Sequence, residues 1–143
     1  MIILDTNVVS ELMRSRPAQP VVAWVDRQVP STLFLTSLTL AEVRFGIAAL
    51  PRGRRRVALG EAFEDEIRPI FGDRILDFTE AASKEYATLR ADARAQGIAI
   101  GDVDALIAAI ARAHRFQVAS RDVAPFEAAG VNAINPFDAD PLH

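Results

Sequence analysis

Four carboxylates interrupt apolar segments of this chain. Asp5 follows Met1-Ile-Ile-Leu, Glu42 lies inside Leu38-Thr-Leu-Ala-Glu-Val, Asp104 opens Ala105-Leu-Ile-Ala-Ala-Ile, and Asp122 follows Phe116-Gln-Val-Ala-Ser-Arg. An ionised carboxylate in apolar surroundings costs several kcal/mol unless a cation or a set of donors compensates it. Helical spacing sets Glu42 beside Leu38, Phe45 and Gly46, and Asp104 beside Ile100, Gly101, Ile107 and Ala108. Neither set contains Lys or Arg, so local ion pairing offers no compensation. A divalent metal ion is the partner that the chemistry suggests.

Taken singly, each acid has a structural explanation. Asp5 and Asp102 suit helix capping, Asp104 suits the first turn of a helix, and Asp122 suits an Asx-turn. Glu42 fits none of these. Taken together, they ask for a shared site. Two carboxylates about 4 Å apart repel by roughly 4 kcal/mol at an effective dielectric near 20, and a hard dication removes that cost. With no cysteine and only His114 and His143, oxygen-preferring Mg²⁺, or Mn²⁺ in its place, suits the donor set. Such an ion can activate a water and neutralise charge developing on a phosphodiester.

Composition excludes other classes. The absence of cysteine rules out thiolate catalysis, disulfides and zinc-thiolate sites. His114 reads as a cation near a helix C-terminus, so a Ser-His-Asp triad is not expected. No segment is long and apolar enough to span a bilayer, and no basic residue precedes the apolar start as a signal peptide would require; a cytoplasmic location is the expectation. The formal net charge is −3, so a nucleic-acid substrate would have to be held by metal ions and local patches. Arg54, Arg55 and Arg56, in Pro51-Arg-Gly-Arg-Arg-Arg, form one such patch, for phosphate or for a protein partner.

The elements that must carry these residues are short strands alternating with helices. Ile2 to Asp5 reads as a buried strand, with Thr6-Asn7 capping a helix from Val8 to Met13. Pro20 starts a helix through Asp26, and Leu33-Phe-Leu-Thr is a second strand. Ser37 or Thr39 caps a helix to about Leu50, a long polar helix runs to roughly Arg68, and Arg74-Ile-Leu-Asp-Phe is a third strand. Thr79 caps a helix through Ala95, closed by Gly97, and a further helix covers Asp102 to about His114. Phe116-Gln-Val-Ala is a fourth strand, Val123 to Ala129 a helical turn, and Val131-Asn-Ala-Ile a fifth strand. With no hairpin signals, this pattern predicts one α/β domain over residues 1–143, a three-layer α/β/α arrangement with a largely parallel sheet of about five strands. Ligands of such sheets gather beyond the carboxyl ends of the strands, where Asp5 and Asp122 fall.

Five ordered blocks then carry a resemblance: Met1-Ile-Ile-Leu-Asp-Thr-Asn, Thr39-Leu-Ala-Glu-Val-Arg-Phe-Gly, Asp104-Ala-Leu-Ile-Ala-Ala, Ala119-Ser-Arg-Asp and Asn135-Pro-Phe. Together they resemble the PIN-domain ribonucleases, in particular the VapC toxin family and its FitB branch. The resemblance implies a PIN-like fold, a metal-dependent endoribonuclease acting as the toxin of a type II toxin-antitoxin system, and a cognate VapB- or FitA-like antitoxin that blocks the site. It implies Asp5 and Asp104 as principal Mg²⁺ ligands, Glu42 and Asp122 as further acidic members, and Thr6 or Asn7 as orienting groups. Ser120 stands where many relatives have Thr, and Asp102 is an additional acid outside the pattern. It also implies operator DNA contacted only through the antitoxin. Surplus apolar residues on the helices bearing Leu12, Val22, Trp24 and Val25, or Phe45, Ile47 and Leu50, add the expectation of a homodimer within a larger hetero-oligomer.

Two other phosphoryl-transfer folds fail on named residues. A haloacid-dehalogenase-like phosphatase would need a second aspartate where Asn7 stands, and a receiver domain would need a late-strand lysine, whereas Lys84 falls inside a helix. The readings that remain open beside the toxin are an RNA-processing nuclease without an antitoxin, and a subunit acting mainly within an operator-binding repressor complex.

Overall fold

In the computed structural model, which describes residues 1–138, five parallel strands form one sheet in the order β3-β2-β1-β4-β5. The strands are β1 (Ile2–Leu4), β2 (Leu33–Thr36), β3 (Ile75–Leu76), β4 (Gln117–Ala119) and β5 (Ala133–Ile134). The helices are α1 (Thr6–Leu12), α2 (Gln19–Asp26), α3 (Ser37–Ala48), α4 (Arg54–Glu61), α5 (Arg68–Phe71), α6 (Glu80–Ala95), α7 (Asp102–His114) and α8 (Ala124–Ala128). A π-helical segment, Ala62–Ile67, joins α4 to α5. The long polar helix expected after the Arg-rich segment is therefore present, running without a gap from Arg54 to Phe71 with π geometry in its middle. The Ala139–His143 end of the expected domain, with His143, lies outside the described residues.

Side-chain alternation along β1 explains the three layers. Ile2 and Leu4 point to one face and Ile3 to the other, as a period of two requires. Ile2 and Leu4 join Val8, Val9, Val21, Leu35 and Phe63 beneath α1 to α5. Ile3 joins Leu89, Ile107, Ile110, Val118 and Phe126 beneath α6 to α8. Both clusters are closed to solvent, so the central strands are apolar on both faces, which accounts for the unbroken apolar runs in the sequence.

Several boundaries differ from the sequence reading because side chains capped helices earlier than expected. Asp5, not Thr6 or Asn7, is the N-cap of α1 and accepts from the Thr6 amide. Thr36, at the end of β2, caps α3 by accepting from Thr39 N. The helix of residues 102–114 begins after Gly101, so Asp102 is its first residue and not its cap. Arg112 and His114 occupy the last turn of α7, as the dipole argument anticipates. The third and fifth strands each reduce to two residues, Ile75–Leu76 and Ala133–Ile134, at the two edges of the sheet.

The order 3-2-1-4-5 sets a topological switch point between β1 and β4. The chain leaves β1 toward β2 on one side, while β4 leads to β5 on the other. The carboxyl ends of these strands open a crevice there, which is where open α/β sheets place ligands.

Candidate active site

Asp5 leaves β1 at this crevice. Its backbone N–H donates to Ala119 O at 2.9 Å, which fixes the strand end against β4. Its carboxylate accepts from Thr6 N at 2.8 Å and from the Ser120 hydroxyl at 2.8 Å, with Asn7 Nδ2 further away at 3.5 Å. Asp5 is thus both a helix cap and a buried acid aimed at the cleft.

Ser120, fully buried just past β4, is the junction of this network. Its hydroxyl donates to Asp5 and accepts from Asn7 Nδ2 at 3.2 Å and Asp122 N at 3.1 Å. One donor and two acceptors exhaust the bonding capacity of a hydroxyl. Asn7 in turn accepts from the Arg121 amide at 3.0 Å through Oδ1, so it spans the ends of the two strands. That donation and acceptance together fix its amide orientation.

Glu42 comes from α3 and is solvent-exposed, in contrast to the apolar surroundings that the sequence implied. Its partner is Thr6, whose hydroxyl donates to Oε1 at 2.5 Å across 36 residues of chain. Asp104, half-buried in the first turn of α7, completes the acidic lining. Asp5, Glu42 and Asp104 share one cleft of about 740 Å³ with Thr6, Asn7, Ser10, Glu11, Arg14, Arg55 and Arg121. Asp122 is exposed beside this lining and is felt there electrostatically.

The charges are coupled. Burial pushes the Asp5 carboxyl above its ordinary value, against the opposing hydrogen bonds from Ser120 and Thr6, and the negative fields of Asp104 and Glu42 add to the rise. Burial likewise raises Asp104, reinforced by Asp122 and Glu42. All four acids therefore belong to one electrostatic neighbourhood. Among the described residues, no three His, Asp or Glu side chains converge into a ready-made metal cage.

Asp102 stands apart. It turns outward to pair with Arg90, which also donates to Ile100 O at 2.7 Å. The Arg-rich segment divides as well. Arg55 reaches the acidic cleft, Arg54 lies on a separate surface with Gly53, Val57, Ala58 and Glu61, and Arg56 lines neither.

Sequence reading missed four residues of this cleft, Ser10, Glu11, Arg14 and Arg121. Glu11 is buried, accepts from Ala18 N at 3.1 Å and pairs with Arg14 at 3.3 Å, which pins the loop between α1 and α2. Its signal was present, since an acid at the third helical position after Val8 lies on the side of α1 facing the core. Arg121 gave no local signal, because its place depends on Asn7 and Asn135, both remote in sequence.

A second groove, of about 260 Å³, opens alongside. Val43, Gly46, Ile47 and Leu50 of α3 and its end line it together with Met13 and Leu59, and it shares Ser10, Arg14, Glu42 and Arg55 with the acidic cleft. Of the helices expected to carry spare apolar surface, α2 buries Trp24 and packs Val25 against the core, with Val22 half-buried. On α3, Phe45 is 74% exposed.

This fold and this acidic crevice define a class. The family model for the PIN domain matches residues 2–131, and the chain belongs to that family. Within it, the chain is 49% identical over 138 residues to VapC ribonuclease Y4jK of Sinorhizobium fredii, covering 96% of this chain and 99% of that one. It is 42% identical over 137 residues to Toxin FitB of Neisseria gonorrhoeae, again covering 96% and 99%. In three dimensions it matches the chain in the structure of FitAB bound to the IR36 DNA fragment with a TM-score of 0.92 at 41% identity, covering 98% of each. Among the described residues no helix is long and apolar enough to cross a membrane.

Proposed function

We propose that this chain is the toxin of a type II toxin-antitoxin pair and a Mg²⁺-dependent endoribonuclease, held inactive by a cognate antitoxin of the VapB or FitA kind. The observation that carries this reading is the coupled field of Asp5, Glu42, Asp104 and Asp122 at the carboxyl ends of β1 and β4. Membership of the PIN family and near-full-length likeness to a ribonuclease and a toxin support the same reading.

Asp5 and Asp104 would hold the dication, with Glu42 and Asp122 acting on its water shell. When bound, the ion supplies a water made more acidic and a positive charge facing the phosphodiester. The chain's own part is positional. Ser120 and Thr6 N orient the Asp5 carboxylate, Thr6 Oγ1 holds Glu42, and Asn7 ties the two strand ends so that these acids keep their separation.

The antitoxin would lay an apolar helix in the groove of Val43, Gly46, Ile47 and Leu50 and direct a basic side chain into the adjoining acidic cleft. The continuity of the two through Glu42 and Arg55 suits one ligand that does both. Operator DNA would be reached through the antitoxin, since a net charge of −3 gives this chain no global attraction to DNA. The exposed Phe45 face of α3 would pair two copies of the toxin about a two-fold axis, giving a homodimer within the larger complex. The expected setting is the cytoplasm.

The decisive experiment incubates antitoxin-free protein with total cellular RNA and Mg²⁺ or Mn²⁺ and maps new 5′ ends. Discrete new ends that vanish with EDTA and in the Asp104→Asn protein are expected. RNA left intact under every metal condition would overturn the reading.

A further inference from the structure

We propose that Arg121 is a phosphate-binding residue of the cleft, gripping a phosphodiester of the RNA next to the scissile bond; this rests on the nuclease reading above. A cluster of four carboxylates repels a polyanion, so a substrate strand needs fixed positive charge close to it. Three arginines line the cleft: Arg14, Arg55 and Arg121. Arg14 is already engaged by the buried Glu11. Arg55 comes from α4 and is shared with the adjoining apolar groove.

Arg121 is held differently, at both its root and its head. Its amide donates to Asn7 Oδ1 at 3.0 Å, and its carbonyl accepts from Asn135 Nδ2 at 3.2 Å. Its guanidinium lies 4.2 Å from the centroid of the Phe137 ring. A cation–π contact consumes no N–H donor, so the guanidinium keeps its donors for a planar, bidentate acceptor such as a phosphate. Among the described residues no carboxylate lies within ion-pair distance of it. A cation whose task was to neutralise the acid cluster would be paired with it; this one is stacked on a ring at the cleft wall. Pre-setting of its root and head lowers the ordering cost of gripping the strand. Asn135 and Phe137 are then its positioning residues.

The test measures cleavage of a labelled single-stranded RNA by the antitoxin-free chain in Mg²⁺ across a KCl series. Arg121→Gln should raise KM about tenfold, the loss of one charge-assisted hydrogen bond, with kcat within about threefold. It should also flatten the dependence of log kcat/KM on log salt by about 0.7, the contribution of one phosphate contact on a single strand. Arg121→Lys should restore the salt slope and only part of the KM. Phe137→Leu, which keeps the charge and frees the guanidinium, should raise KM without changing the slope. A parent that cleaves, beside an Arg121→Gln protein with parental KM and salt slope, overturns the assignment alone. A parent that neither binds nor cleaves RNA overturns the nuclease reading and this assignment with it.

Discussion

The hydroxyl of Ser120 donates to Oδ2 of Asp5 at 2.8 Å, so the acid that ends β1 is oriented by the residue that ends β4. These residues are 115 positions apart in the chain, and their pairing is set by the parallel register of Leu4 with Ala119. The geometry of the candidate site is thus a direct product of sheet topology.

Replacing Ser120 by Ala removes a donor from Asp5 and an acceptor from both Asn7 Nδ2 and Asp122 N. Leaving such buried groups unpaired costs about 1–3 kcal/mol. Thermal or urea unfolding of Ser120→Ala should show a loss in that range together with a lower cleavage rate. Ser120→Thr keeps the hydroxyl and should retain most of both. A Ser120→Ala protein with parental stability would remove this bond from the support of the site.

Two aspartates two residues apart should behave oppositely. Asp104 and Asp5 have carboxyl groups raised by burial first and by neighbouring acids second. The folded pKa lies above the unfolded one, so their contribution to stability is fully present below the unfolded value of 3.8 and is lost as pH rises through the raised folded value. At neutral pH the metal-free parent therefore carries a destabilising pair of charges. Asp104→Asn should melt higher than the metal-free parent at pH 7, by a margin that shrinks on acidification through the raised folded value, and should respond less to added Mg²⁺. It should also lose most cleavage. Asp102→Asn, which only loosens the outward pair with Arg90, should cleave at the parental rate. Equal behaviour of the two variants would undo this separation.

Periodicity revealed the layers because β1, β2 and β4 are apolar on both faces, and it revealed α3, α6 and α7 because their buried residues recur at helical spacing. It failed where side-chain chemistry decided the outcome. Nothing local says that Thr36 rather than Ser37 or Thr39 will cap α3, since all three residues can do so and only the bend at the end of β2 selects among them. The acids were legible as a group, but their surroundings were not. Glu42 looked apolar in one dimension because the face of α3 that it shares with Phe45 is turned outward. Arg121 was invisible for the opposite reason, since its partners Asn7 and Asn135 arrive from the start of α1 and from just past β5.

The basic segment offers a sharper division than its composition suggests. Arg55 lines the acidic cleft and the adjoining apolar groove, whereas Arg54 is directed to a surface with Val57 and Glu61. Arg55→Gln should weaken RNA or antitoxin binding several-fold and reduce its salt dependence, while Arg54→Gln should leave both within about twofold. Titrations of the two single variants against a labelled RNA and against the antitoxin separate the cases. Equal effects from both would assign the segment a diffuse electrostatic role.

Gly46 gives direct access to the groove proposed to receive the antitoxin. It lies on α3 four residues after Glu42, lines the groove but not the acidic cleft, and a Cβ placed on it meets nothing within 4 Å. A larger residue is therefore accepted by the fold, and replacing glycine inside a helix stabilises it by up to about 1 kcal/mol. Gly46→Leu would project its side chain into the space between Val43, Leu50 and Leu59, where an apolar partner helix is proposed to lie. The expected result is a melting temperature at or above that of the parent, unchanged RNA cleavage by the free protein, and antitoxin affinity reduced at least tenfold in calorimetric titration. Growth inhibition should then persist in cells that supply the antitoxin. If Gly46→Leu binds the antitoxin as tightly as the parent does, the helix docks elsewhere and the continuity of groove and cleft has no part in inhibition.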